Sequence, residues 1–438
     1  MLCKRFVAIL ALAASTLVAS SSATSVDGGG RAVAARHAAI HTPLPRMIHR
    51  RAAKKSASSS SSKKLASSST TNANPGYDAD KVLSVAKKLT THSWEYGILA
   101  EALLEYYNAS LSVFGSNPFP NGKVPKPNVA TVQALSYVKP NISISGNTLS
   151  NGDGAAGDPA SLVVPATLIG GTNAAYTQAV DRQIAHLFTV PLYSNGAISQ
   201  REAVAELWAD AVYMFPPAFA YNAVRTNNES MMHTAIIQCS RYRQILQPTT
   251  TAAWSGLWQH IVGPQSQTLG IWATGNGWAA MGMVRVLATV KKWETSKGWT
   301  SQQALLTKWI YQILSGAVGS GVASNGLIKN YMVGGPNGAS QSPAAGDFGD
   351  VTGSAMLASA AYRMMVLDPS GASKYLSWAN GLRKAVAARV NGTGYAVPNV
   401  DPLNWFNTSP YYQGSPEGQS ATGILAASWR DCVQAGRC

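Results

Sequence analysis

The chain has 438 residues, with 35 Lys and Arg against 20 Asp and Glu, a net charge of +15 at neutral pH. Eleven of the basic residues and one acid lie in residues 1–75, so residues 76–438 carry 24 basic and 19 acidic side chains, about +5. A nucleic-acid surface needs its basic residues clustered on a folded face. The excess here belongs to the N-terminal segment, which argues against that partner, while a mildly basic body suits an anionic sugar. Four cysteines are too few for a fold built on disulfides, and no metal cluster or cofactor motif is visible, so no cofactor is expected.

In chain order, residues 1–24 read as a secretory signal peptide: Lys4-Arg5, an apolar run from Phe6 to about Ala19, then small residues. The run is shorter than the ~20 residues that span a bilayer, so a secreted chain without a membrane anchor is expected. Residues 25–75 are rich in serine and basic residues and offer little apolar surface, so they are expected to be disordered. The pairs Arg50-Arg51 and Lys54-Lys55 fit processing sites of a pro-segment or an ordinary basic linker equally well. Residues 76–438 form one block, expected to be the catalytic domain. Five N-glycosylation sequons, at Asn108, Asn141, Asn228, Asn391 and Asn407, fit secretion. Cys432 and Cys438 are close enough to close a small loop, leaving Cys239 as a buried thiol; a bond from Cys239 to one of the pair is the alternative.

Helical periodicity dominates the block. Val82, Val85, Ala86 and Leu89 have the three-and-four spacing of a one-sided helix, and Glu95 to Tyr107 repeats it. Further helices are predicted over 159–170, 174–188, 201–213, 215–225, 229–245, 276–293, 301–317, 352–367, 371–389 and 417–430. Gly/Asn/Pro-rich loops separate them at 114–128, 146–158, 262–275, 320–350 and 391–416. Short β pairs fit in the loops, for example at Leu327-Ile328-Lys329-Asn330. About a dozen helices in this rhythm predict an all-α protein. Helical hairpins arranged in a ring and an irregular helical domain both satisfy the pattern.

Three segments concentrate Trp, Gly, Asn and acid. In Trp208-Ala209-Asp210-Ala211-Val212-Tyr213-Met214-Phe215-Pro216-Pro217 a lone carboxyl sits among apolar side chains. Such surroundings raise a carboxyl pKa toward the range of a general acid; a helix cap is the structural alternative. Gly256-Leu257-Trp258-Gln259-His260 is followed by Trp272-Ala273-Thr274-Gly275-Asn276-Gly277-Trp278, two tryptophans around a Gly-Asn-Gly turn. Aromatic faces with polar neighbours suit a sugar, although a lone His260 is more often structural. Pro416-Glu417-Gly418-Gln419 follows an aromatic loop and fits either a pocket wall or a helix start.

Taken in order, these segments resemble glycoside hydrolase family 105 and its sister family 88. The matching elements are Trp-x-Asp-x-x-Tyr-Met-x-x-Pro, Gly-Leu-x-x-His, Trp-Ala-Arg-Gly-Asn-Gly-Trp and Pro-Glu-Gly-Gln, spread over residues 78–430. The resemblance implies an (α/α)6 barrel of six hairpins. It also implies removal of a 4,5-unsaturated uronic acid from oligosaccharides by hydration of the enol-ether double bond. Asp210 matches the acid/base. A second family aspartate is matched by Asp158, with Asp153 as the other choice. Trp208, His260, Trp272, Asn276, Trp278 and Glu417 match pocket positions. The family arginine of the third element, a pocket residue, is Thr274 here, which puts uronate recognition in question. A helical-barrel glycosidase for a saturated sugar and a carbohydrate-binding protein without catalysis are the other readings.

Overall fold

Two kinds of helix alternate along the chain. The structure, a computed structural model, describes residues 73–338 and 348–438; the expected signal peptide and all but the end of the Ser/Lys/Arg-rich segment lie outside the described residues. The helices are α1 (Ala79–Leu89), α2 (Ser93–Tyr107), α3 (Gln133–Val138), α4 (Val163–Gly170), α5 (Ala174–His186), α6 (Ala211–Met214), α7 (Pro216–Thr226), α8 (Glu229–Leu246), α9 (Ala273–Lys292), α10 (Thr300–Ser320), α11 (Val351–Leu367), α12 (Pro369–Ala372), α13 (Leu376–Ala387) and α14 (Pro416–Gln434).

The outer helices are amphipathic. In α1, Val82, Leu83, Val85 and Ala86 are buried, while Lys81, Ser84 and Lys88 face out, the stripe expected of a helix with one wet face. The inner helices have no wet face along most of their length. Every residue from Ala273 to Val290 of α9 and from Val351 to Met365 of α11 is buried, as is the run Pro416–Ser428 of α14. Small residues make this possible by letting backbones approach. A Cβ on Gly282 of α9 would lie 2.1 Å from the Val212 carbonyl oxygen, and one on Gly97 of α2 would lie 2.1 Å from Ser161 Oγ.

The inner ring runs from α2 through the 3-10 turn Asp158–Leu162 with α4, then α6 and α7, α9, α11 and α14, and α14 packs back on α2. With α1, α3, α5, α8, α10 and α13 outside, this is an (α/α)6 barrel. Because outer and inner helices alternate, the inner ones all run the same way and their N-terminal ends gather at one mouth of the barrel. There, β1 (Leu207–Trp208) pairs antiparallel with β2 (Ile261–Val262), and β3 (Ile271–Trp272) with β4 (Tyr331–Val333).

The local departures from the sequence reading have visible causes. The helix expected over 201–213 is a loop, β1 and the four residues of α6. Ser199 Oγ donates to the Val204 and Glu206 carbonyl oxygens and accepts from the Arg201 and Glu206 N–H groups. A hydroxyl that captures backbone groups in this way competes with the helical ladder. The expected 159–170 helix begins instead as the 3-10 turn. Helix α9 starts at Ala273, so Gly275-Asn276-Gly277 is its first turn rather than the end of a loop. The short strand near 327–330 lies at Tyr331–Val333, and α3 was not foreseen.

Cys432 and Cys438 form a disulfide and Cys239 is buried and free. Among the sequons, Asn228, Asn391 and Asn407 are exposed, while Asn108 and Asn141 are half-buried. The chain is tied down from its first described residues: the Pro75 carbonyl accepts from Arg383 Nη1 at 2.7 Å, and the Tyr77 hydroxyl donates to the Thr422 carbonyl at 2.7 Å.

A network of charges lies inside the ring, beyond the mouth. Glu105 of α2 receives both Arg285 of α9 and Arg363 of α11, the latter at 2.5 Å. Arg285 also reaches Glu101 at 2.7 Å, and Arg363 reaches Asp431 of α14 at 2.5 Å. Burial pushes the Glu101 carboxyl up, against the pull of Arg285. Removing one partner of a buried ion pair leaves the others uncompensated and costs ~3–5 kcal/mol. Glu105→Gln, which strips the shared charge from two guanidinium groups, is therefore expected to destabilise the fold by about that amount. A chemical-denaturation curve measures it, and a midpoint equal to the wild type would show that the network contributes little.

Candidate active site

The mouth of the barrel encloses a cleft of about 190 Å³, partly open to solvent. Its wall combines the N-terminal ends of inner helices with the loops between them. Trp94 comes from the first turn of α2, Asp158 opens the 3-10 turn, Asp210 precedes α6 and Met214 is its last residue, Trp272 precedes α9, and Glu417 is the second residue of α14. Gln200, Arg201, Trp208, His260, Pro402, Leu403 and Trp405 complete much of the remainder. Acids at helix N-terminal ends meet unpaired N–H groups and the positive end of the dipole, which lets several carboxyl groups share one mouth.

The β1–β2 pairing sets the centre of the site. Trp208 is opposite Ile261, and the Ala209 N–H donates to the His260 carbonyl at 2.8 Å. This brings Asp210 Oδ2 to 3.2 Å from His260 Nε2. Asp210 does not cap α6 with its side chain, and its Oδ2 has no hydrogen-bond partner, so the structural alternative for this residue fails on geometry. The imidazole is sandwiched in aromatics: its centroid is 4.2 Å from the Trp272 ring, 5.8 Å from Trp208 and 5.7 Å from Trp405. Trp208 and Trp405 meet edge to face at 5.0 Å.

The other acids differ in their surroundings. Burial pushes Asp158 up to about 7, helped by the charge of Asp210 and opposed by a 2.6 Å hydrogen bond from Gln200 Nε2. Burial also raises Glu417 well above the usual carboxylate range; Trp94 Nε1 donates to its Oε1 at 2.6 Å, and its Oε2 is unpartnered. Asp153, the alternative to Asp158, is exposed at the rim, held by Asn151. The structure thus brings Asp158, Asp210, Trp208, His260, Trp272 and Glu417 to one cleft.

It keeps Thr274, Asn276 and Trp278 out of it, correcting their expected contact with substrate. All three fall within α9 and face the packed wall. Thr274 is fully buried and its hydroxyl donates to Asp350 Oδ2 at 2.8 Å. Asn276 is a brace: it accepts from the Trp258 N–H and donates to the Trp258 and Trp272 carbonyl oxygens. Trp278 packs edge-on against Tyr213, with centroids 4.7 Å apart. They shape the site from behind.

Several lining residues were missed. Trp94, Gln200 and Arg201 lie outside the motif segments, and Trp405 was noted only as part of an aromatic loop. Glu206, fully buried, is a support: its Oε1 accepts from Trp208 Nε1 at 2.7 Å and its Oε2 from the Gln265 and Ser266 N–H groups at 2.6 and 2.7 Å. Among the described residues no group of His, Cys, Asp and Glu is arranged to hold a metal ion.

With this geometry in view, the comparisons with known proteins align with the motif resemblance. Residues 137–316 match the family model Glycosyl Hydrolase Family 88. A possible member of the GH105 family from Klebsiella pneumoniae superposes with a TM-score of 0.62 at 13% identity, covering 84% of this chain and 95% of that one. An unsaturated glucuronyl hydrolase specific for heparin gives 0.54 at 12% identity over 82% and 97%. A polysaccharide lyase gives 0.52 at 15% identity over 82% and 97%. At such identities the superpositions establish the fold alone. No curated protein matches the chain at a significant level.

Two tests follow from the geometry. Thr274→Val removes the hydroxyl donated to buried Asp350 without opening a cavity. It should lower stability by ~1–3 kcal/mol while kcat and KM stay within about twofold; a large kinetic change at unchanged melting temperature would place the residue at the substrate. For Asp158, the raised pKa means a neutral carboxyl below about 7 and an added negative charge above it. Activity on an anionic sugar should therefore fall as pH rises through about 7, and Asp158→Asn should lack that alkaline limb. The pH profiles of kcat/KM for the two proteins make the comparison.

Proposed function

From the match of residues 137–316 to the family 88 model, the motif resemblance and the shared barrel, we propose that the chain is a glycoside hydrolase that removes a 4,5-unsaturated uronic acid from the non-reducing end of oligosaccharides, with plant-wall pectic fragments as the substrate class and the extracellular space as its place of action. The observation that carries the reading is Asp210: a carboxyl oxygen with no hydrogen-bond partner, 3.2 Å from His260, at the wall of a tryptophan-lined cleft that also holds Asp158. A disulfide and exposed sequons are consistent with export.

The chemistry asks for one mobile proton. Asp210, in its acid form, protonates C4 of the enol ether, and the positive charge that develops is shared between C5 and the ring oxygen. Water adds at C5 and gives its proton to the Asp210 carboxylate, restoring the acid. The hemiketal at C5 then opens, and the hemiacetal left at C1 releases the remainder of the oligosaccharide as an alcohol. No fixed pair of carboxylates flanking the glycosidic bond is required, unlike direct displacement at C1. Trp208, Trp272 and Trp405 supply faces for the sugar ring. His260 Nε2, 3.2 Å from Asp210 Oδ2, is placed to orient that carboxyl.

The test is loss of the enol-ether ultraviolet absorbance from oligosaccharides produced by polysaccharide lyases. The wild type should consume the chromophore. Asp210→Asn, close to isosteric but without a titrating proton, should be slower by ~10²–10⁴-fold with little change in melting temperature. Turnover of saturated oligosaccharides only would favour a conventional glycosidase, and a fully active Asp210→Asn protein would refute the assigned role.

A further inference from the structure

We propose that Arg201 is the receptor for the substrate carboxylate, so that the cleft selects an acidic sugar through one unpaired guanidinium. The inference rests on the uronyl reading of the site for its substrate, and on the following geometry for its residue.

The cleft is acidic. Asp153, Asp158, Asp210 and Glu417 line it, and Arg201 is the sole Lys or Arg among its lining residues. Even with Asp158 and Glu417 protonated, an anionic sugar entering this mouth needs a positive charge to replace the water it leaves behind. Position 274, where the motif resemblance implies an arginine, carries a threonine whose hydroxyl is committed to Asp350 inside the wall. The cation must come from elsewhere, and Arg201 is available. It takes part in none of the ion pairs formed among the described residues. Its Nε is buried without a hydrogen-bond partner.

Arg225, Arg285, Arg363 and Arg430 are paired with carboxylates, and Arg182, Arg241, Arg243 and Arg383 donate to backbone or amide oxygens. A guanidinium beside several acids that touches none of them at ion-pair distance is held back by its backbone. Residue 201 is pinned twice: it bridges Ala155 in antiparallel fashion, and its N–H donates to Ser199 Oγ at 2.9 Å. The side chain then lies over Trp208, with Cζ 5.7 Å from the ring centroid, and beside Gly154, where a Cβ would sit 3.2 Å from Nη2. A planar fork of donors fixed against a tryptophan suits bidentate capture of a carboxylate. Trp208 serves two roles in this arrangement, as a sugar platform and as the support of the cation.

The experiment measures binding first and turnover second. Wild type, Arg201→Gln and Arg201→Lys are titrated with glucuronate and with uncharged glucose, following tryptophan fluorescence, at low and high salt. The wild type should prefer glucuronate, and added salt should weaken that preference. Arg201→Gln should lower glucuronate affinity by ~10–100-fold, the range of a charge-assisted pair, and collapse the selectivity ratio; Arg201→Lys should restore part of it. Melting temperatures identify a variant that is merely unfolded, and Arg201→Lys then carries the comparison. Equal affinity of the wild type for the two sugars, or full selectivity in Arg201→Gln, would overturn the proposal. The chromophore assay on an unsaturated uronyl disaccharide separates the two claims. A wild type that selects glucuronate through Arg201 but leaves the chromophore intact supports this inference and rejects the hydration reading. Turnover with full selectivity in Arg201→Gln does the reverse.

Discussion

Four inner helices of the barrel are tied together by one buried network of ion pairs. Glu105 of α2 accepts Arg285 from α9 and Arg363 from α11, and Arg363 carries the link on to Asp431 of α14. Apolar packing alone is poorly directional, and helices rich in small and apolar side chains can slide along one another. A forked guanidinium bound to two oxygens fixes both distance and register. Phe114 closes the network from one side, with the Arg363 Cζ 4.2 Å and the Arg285 Cζ 5.5 Å from its ring centroid. The net stabilisation from such a cluster is small relative to its desolvation cost; its contribution here is alignment, which sets the height of each helix end at the mouth.

That height matters because the chemistry is carried by helix ends. Trp94, Asp158, Asp210, Trp272 and Glu417 are each within two residues of the start of a helix or turn, and each element belongs to a different side of the ring. A slip of one residue in α14 would move Glu417 by about 1.5 Å along the axis and break its 2.6 Å bond with Trp94. Loops are short of such leverage. The two strand pairs reinforce the same precision, since β1–β2 fixes Asp210 relative to His260 and β3–β4 fixes Trp272 relative to Asn330, whose Oδ1 accepts from the indole at 2.8 Å.

The helical class was legible because its signal is periodic, as in the one-sided stripe of α1. The ring was not, since periodicity fits an irregular helical domain equally well; the six-hairpin barrel was implied by the motif resemblance. The acid motif was legible for a different reason: Trp208, Asp210 and the Pro216-Pro217 pair are close in sequence. What failed was direction. Asn276 and Trp278 sit in the same short motif as Trp272, but a helix turns 100° per residue, so only the residue before α9 faces the cleft while the following turn faces the wall. Arg201 was illegible because it sits in a loop read as helix, and nothing in the string shows that Ser199 captures the local backbone and points the arginine inward. Trp94 and Glu417 meet across 323 residues of sequence, a separation at which local pattern carries no information.

The low identity to solved structures of the same fold, 13% and 12% for two of those compared, is compatible with one architecture because the barrel makes few demands on residue identity. It asks for small side chains where α9 crosses α6, apolar residues elsewhere, and some arrangement that fixes register. A hydration mechanism is similarly undemanding, since a single carboxyl can give and recover the proton. Substrate choice is then decoupled from both. In the first turn of α9, Thr274 belongs to the wall: its hydroxyl and the Gly353 and Val400 N–H groups satisfy Asp350. Asp350 is thus hydrogen-bonded within the wall, and the one Lys or Arg that lines the cleft, Arg201, lies on a loop outside the helix bundle.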